Sequence, residues 1–94
     1  MIKSIRHKGL KKFFNSGGKD TQGINTDHEY KLRDQLAALD SATDIADMGL
    51  PGWRLHPLKG KDKARHAIWV SGNWRMTFEF DNGDAYVVDY EDYH

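Results

Sequence analysis

The spacing of hydrophobic positions changes along the chain, and that change predicts where helices give way to strands. Tyr30, Leu32, Leu36, Ala37 and Leu39 form a stripe at helical spacing, with Lys31, Arg33, Asp34 and Gln35 mostly outside it. Thr26 and Glu29 stand ahead of the stripe at capping-box spacing, so a helix is predicted from about Asp27 to Asp40. Upstream, "LKKFF" after Gly9 reads as one or two helical turns closed by "NSGG". "MIKSIRH" is short enough for a first strand, and "GGKDTQGIN" has the composition of a mobile loop. "SATDIADMG" offers a short capped turn ending at Gly49, after which Pro51 and Gly52 break the chain.

From Trp53 onward the period is two. "WRLHPL" alternates Trp53 and Leu55 until Pro57 interrupts. "HAIWV" and "WRMTFEF" flank Ser71-Gly72-Asn73 as a hairpin, and "FEF" and "AYVV" flank a second turn at Asp81-Asn82-Gly83-Asp84. The order β-α-α followed by an antiparallel meander predicts an α+β fold in one domain, residues 1–94. Its expected form is a small, twisted antiparallel sheet with a mixed edge and two N-terminal helices packed on one face. In the third strand Trp74, Met76, Phe78 and Phe80 share the side that the helices must cover. Arg75, Thr77 and Glu79 then point to the open side.

Net charge adds a second pattern. The formal charge is zero, but it is laid out in blocks. Residues 1–19 hold Lys3, Arg6, Lys8, Lys11, Lys12 and Lys19 and no acid. Residues 20–50 are acidic, residues 51–78 are basic through Arg54, Lys59, Lys61, Lys63, Arg65 and Arg75, and residues 79–94 are acidic again. A polyanion meets such blocks one surface at a time, which is compatible with nucleic-acid binding without establishing it. The absence of cysteine excludes disulfides and thiolate metal sites. No apolar run is long enough for a signal peptide or a membrane span, so a soluble cytoplasmic protein is expected.

Three stretches carry candidate chemistry. Arg75 sits in mid-strand on a rigid sheet: either it is positioned for a ligand, or it is a solvent-face arginine paired with Glu79 or Asp89. His56 precedes Pro57, which extends its backbone, and it lies among the bases of "RLHPLKGKDKARH". It is either a functional imidazole sharing Arg75's side or a half-buried histidine in a solvated loop. The tail "VVDYEDYH" carries Asp89, Asp92, Tyr93 and His94. It reads as an acidic strand end with packed aromatics, or as a functional segment. A metal site there would match no known binding loop.

"PGWRLHPLKG", "NWRMTFEF" and "VVDYEDYH", in that order and at this length, resemble the HigB group of bacterial type II toxins within the RelE/ParE superfamily. The resemblance runs from "MIKSIRHKGL" to the last residue. It implies a RelE-like fold and a ribosome-dependent endoribonuclease that cuts mRNA in the A site of the 70S ribosome without a cofactor. It also implies a HigA-like antitoxin with a helix-turn-helix domain, through which alone the pair would contact operator DNA. The family's functional positions fall on His56, Lys59, Arg75, Asp92, Tyr93 and His94.

Metal-free RNA cleavage by the ribose 2′-OH needs a base, an acid and positive charge on the phosphorane. Imidazoles suit the proton roles because their reference pKa, about 6.5, lies near neutrality. His94 is the first candidate for proton transfer and His56 the second; Arg75 and Lys59 would clamp the phosphate. Asp92 would orient His94 or a base edge, and Tyr93 would stack on a nucleobase. The α-carboxylate of His94 and the nearby Asp92 are expected to favour its imidazolium, so a C-terminal extension should impair activity more than an N-terminal one. Lys8, Lys11, Lys12, Arg54, Lys61, Lys63 and Arg65 are the expected ribosomal-RNA footprint. Two other classes compete: a non-enzymatic ParE-like inhibitor of DNA gyrase, and a plain RNA-binding module.

Overall fold

His7 starts the first helix: its backbone is extended, and its Nδ1 accepts the Leu10 N–H at 3.0 Å. The computed structural model describes residues 1–59 and 65–93. Among them the chain forms α1 (Lys8–Asn15), α2 (Glu29–Ser41), β1 (His56–Pro57), β2 (Arg65–Ser71), β3 (Trp74–Asp81) and β4 (Asp84–Asp92). The strands lie in the order β1-β2-β3-β4, each antiparallel to its neighbour. This is the expected α+β architecture.

The helices cover one face of the sheet. Leu10 and Phe13 of α1 and Leu32, Leu36 and Leu39 of α2 pack with Ile68, Val70, Met76, Phe78, Val88 and Tyr90. Each fully buried aliphatic or aromatic side chain contributes about 1.5–3 kcal/mol by leaving water. Two members of the predicted stripe differ. Tyr30 is 84% exposed, and Ala37 is exposed, whereas Gln35 is buried and donates through Nε2 to the Trp69 carbonyl at 2.8 Å. The helix also starts differently: Asn25 caps a single 3₁₀ turn, Thr26–His28, through the Asp27 N–H, and α2 follows it. The expected turn before Gly49 is a 3₁₀ turn, Ile45–Met48, closed by a capping box between Asp44 and Asp47. Loop 16–25 is folded back, with Ser16 Oγ accepting the N–H groups of Lys19 and Asp20 and Ile24 buried.

Two predicted strands shrink. In "WRLHPL" only His56 and Pro57 pair, with Ala67 and His66 respectively. The N-terminal segment is not a strand, since Ile2 and Ile5 lie three residues apart and cannot both follow a period of two. They make isolated parallel bridges to Ala85 and Val88, with Lys3 N–H to Ala85 O at 2.8 Å and Arg6 N–H to Val88 O at 2.7 Å. The edge beside β4 is therefore mixed. The β3–β4 turn places Asn82 at φ 50 and Gly83 at φ 81, the left-handed pair that a tight two-residue hairpin needs.

An irregularity in β4 decides which of its side chains face where. Thr77 pairs with Asp89 but Glu79 with Tyr86, so β4 carries an extra residue opposite Phe78. Val87 sits there at φ 50, a costly backbone for a β-branched residue. Its N–H donates to Ser4 Oγ at 2.8 Å, and its carbonyl accepts from Arg65 Nη2 at 2.8 Å. Beyond the bulge the alternation is inverted: Val88 and Tyr90 face the helices, while Asp89, Glu91 and Tyr93 face the open side.

Candidate active site

The open face of the sheet carries a cleft of ≈ 220 Å³ whose lining includes Arg54, His56, Trp69, Asn73, Arg75 and Tyr93. Four separate segments supply these residues. Pairing explains why they meet: His56 opposes Ala67, and Trp69 opposes Arg75, which opposes Glu91. Directly opposed residues share a face. Tyr93, two residues past Glu91, continues that face, and its N–H is tied to the Asn73 carbonyl at 2.7 Å.

Arg75 is held from two directions. Its guanidinium carbon lies 3.9 Å from the Tyr93 ring centroid, and its Nε lies 3.8 Å from Glu91 Oε2. The contact with the Tyr93 ring holds the guanidinium in place at the cleft, and its planar fork is the group that suits bidentate phosphate binding. The partner is Glu91, not the expected Glu79 or Asp89, because the bulge shifts the phase of β4. Glu91 is itself fixed, its Oε2 accepting from Thr77 Oγ1 at 3.2 Å. Thr77 in turn accepts from Arg65 Nη2 at 2.7 Å. This part of the open face is therefore covered by side chains, and Thr77 is fully buried.

His56 is exposed, and its Nδ1 lies 2.7 Å from the Arg54 carbonyl oxygen. A carbonyl only accepts, so Nδ1 carries the hydrogen, and in the neutral tautomer of that kind Nε2 is the bare nitrogen. The Arg54 guanidinium lies 4.6 Å from the Trp69 centroid, and Lys31 Nζ lies 4.5 Å from the same ring. Trp69 is the lining residue that sequence reasoning missed. The alternation of β2 contained half the signal, because Ile68 and Val70 face the helices and Trp69 between them faces away; a register shift between Trp69 and Ser71 then sets it opposite Arg75.

The other predicted residues divide. Lys59 is exposed two positions past β1 and is not among the residues lining the cleft. Asp92 is exposed and opposes Trp74, on the phase opposite to Glu91 and Tyr93. Lys8, Lys11 and Lys12 are exposed on α1, in the layer behind the sheet. His94, Lys61 and Lys63 lie outside the described residues. Arg65 is a correction: only 7% exposed, it is held by Thr77, by the Val87 carbonyl and by Glu79 Oε2 at 3.5 Å. Its guanidinium serves the sheet and does not reach an RNA surface. Among the described residues no cluster of three metal-ligating side chains occurs.

A second imidazole–phenol pair lies on the helix-facing side. His28 Nδ1 is 2.6 Å from the Tyr90 hydroxyl, and the edge of Trp74 closes over it at 5.6 Å between centroids. Burial pushes His28 below the ordinary histidine range and Tyr90 above the ordinary phenol range. Both shifts favour the neutral forms, an imidazole and a phenol that share one hydrogen bond.

The chain matches the family described as the RelE-like toxin of the type II toxin–antitoxin system HigB over residues 3–94. It is also 47% identical over 94 residues to the Endoribonuclease HigB of Proteus vulgaris, with 100% of both chains covered. With the family matched over nearly its whole length, and with an α+β fold of the expected kind, the chain belongs to the RelE-like HigB toxins of type II toxin–antitoxin systems.

Proposed function

We propose that this toxin is an endoribonuclease that enters the ribosomal A site and cuts mRNA there, stopping translation. The observation that carries the reading is the convergence of His56, Arg75 and Tyr93 on one open-face cleft. An imidazole with a free nitrogen, a guanidinium presented as a fork and an exposed aromatic ring suit cleavage of a single-stranded RNA by its own 2′-OH. The relative named an endoribonuclease supports the enzyme class, and the gyrase-inhibitor reading is not favoured.

In this mechanism the bare Nε2 of His56 takes the 2′-hydroxyl proton as that oxygen attacks phosphorus. Arg75, with Lys59, carries the charge that builds on the phosphorane, and Tyr93 stacks on a base beside the scissile bond. His94 returns a proton to the departing 5′-oxygen, with Asp92 orienting it. A placed acid or base supplies about 10²–10⁴-fold and a fixed cation about 10²–10³-fold. Lys8, Lys11, Lys12, Arg54, Lys61 and Lys63 would contact ribosomal RNA phosphates. Membership of a type II system implies an antitoxin partner. We propose a HigA-like helix-turn-helix protein in that role and a cytoplasmic site of action.

The test adds the toxin, freed from its antitoxin, to a translating lysate and maps new mRNA ends by primer extension. New ends inside codons, seen only with ribosomes and lost in Arg75→Ala and His94→Gln, support the proposal. Intact mRNA overturns it, and equal cutting by His94→Gln moves the proton roles to His56.

A further inference from the structure

Arg54 has a backbone that a side-chain-bearing residue rarely adopts: φ is 51, in the left-handed region. It has neither the freedom of glycine nor the local hydrogen bonding of asparagine that usually explains such a conformation. Its neighbours hold it. The Trp53 carbonyl accepts the Trp69 N–H at 2.7 Å, which ties the preceding residue to β2. On the following side His56 pairs with Ala67 of the same strand. Between these two attachments, the Arg54 guanidinium lies over the Trp69 ring. The strained peptide aims one group, its carbonyl oxygen, at His56 Nδ1 at 2.7 Å. Strain retained beside a candidate catalytic group, with the surroundings over-determining it, points to a positioning role.

We propose that Arg54 positions His56 for proton transfer. Its left-handed carbonyl fixes the tautomer with the hydrogen on Nδ1, and the ties of Trp53 and His56 to β2 hold that backbone in place. Without this hydrogen bond the free neutral ring would divide between two tautomers and rotate about its side-chain bonds, so the bare nitrogen would face the cleft only part of the time. The inference deepens the nuclease reading and rests on it for its kinetic consequence; its structural half does not.

The test uses the full chain with ¹⁵N-labelled histidine. Spectra are taken above about pH 8, where an ordinary imidazole is neutral, and the His56 signal is assigned by its loss in His56→Gln. Arg54→Gly permits the left-handed backbone and removes the stack; Arg54→Val keeps a side chain that resists positive φ. The unchanged chain and Arg54→Gly are expected to show the hydrogen on Nδ1, and Arg54→Val a shift toward Nε2. On ribosome-bound mRNA, Arg54→Gly should lose efficiency mainly through KM, while Arg54→Val should lower kcat by about tenfold or more. If Arg54→Val does not fold, Arg54→Ala, with a milder bias against positive φ, takes its place. Retention of the Nδ1 hydrogen in the Val or Ala variant overturns the proposal, as does its loss in Arg54→Gly. Unchanged cutting by His56→Gln overturns the catalytic reading of His56, and with it the kinetic half, whatever the tautomer.

Discussion

The two faces of the sheet use the same three residue types in opposite ways. On the helix side Trp74 and Tyr90 stack on each other and His28 packs edge-to-face with both, hydrogen-bonded to Tyr90 and pushed toward neutrality by burial. On the open side His56, Tyr93 and Trp69 each meet an arginine instead. His56 bonds to the Arg54 carbonyl, Tyr93 lies under Arg75, and Trp69 lies under Arg54. A buried imidazole satisfied by a phenol has no partner left for a substrate. An exposed imidazole oriented by a backbone carbonyl keeps one nitrogen for chemistry. Residue identity does not separate structural from functional groups here; the face does.

That contrast is sharpest at the arginines. Arg75→Ala should lower mRNA cutting by about 10²–10³-fold, the effect of removing one preorganised cation. It should barely move the melting temperature, because a single half-exposed ion pair contributes about 0–1 kcal/mol. A large fall in melting temperature instead would place Arg75 with the structural residues. Arg65→Met should do the reverse at first, destabilising the fold by roughly 1–3 kcal/mol for each buried group left unpaired, Thr77 and the Val87 carbonyl among them. Denaturant unfolding measures this, and an unchanged midpoint would show that the bulge holds itself.

The buried histidine supplies the next test. His28 has a folded-state pKa below its unfolded value, so the unfolded chain takes up protons first on acidification. Stability is then full above about pH 6.5, the unfolded value. It falls as the pH drops from there toward the lowered folded value. His66, also lowered by burial, acts in the same direction. Melting curves of His28→Gln should show a flatter acid limb than the unchanged chain. The smallest effect concerns the back of the molecule. Lys11→Glu should weaken ribosome binding and reduce its salt slope by about one for the lost contact. Sedimentation across a salt series would show it, and an unaltered slope would make α1 a solvated surface only.

Much of this contrast was legible in the sequence. The stripe of Leu32, Leu36 and Leu39 and the alternation from Trp74 to Phe80 placed the helices over one face and Arg75 on the other. Burial of an apolar stripe is dictated by period alone. Arg65 was misread because a charge in a basic run looks solvated until its partners, 12 and 22 residues away, are known. Trp69 lies between Ile68 and Val70 and so alternates away from the core, but its place opposite Arg75 depends on a register shift after it that no local pattern marks. The adjacent pair Val87-Val88 was the one sign of the bulge, a break in strict alternation.

The sequence by itself determined the elements, the side the helices cover and the residue types available for RNA chemistry, since these follow from local periodicity and composition. Only the tertiary structure decided which of those residues share a site. Strict alternation from Ala85 would turn Tyr93 toward the helices. The Val87 bulge, gripped by Arg65 and Ser4, turns it toward Arg75 instead. The tautomer of His56 likewise depends on a left-handed carbonyl at Arg54 that no propensity predicts. Both are backbone conformations that cost energy locally. They persist because contacts made by residues distant in sequence hold them, and such contacts exist only in the folded chain.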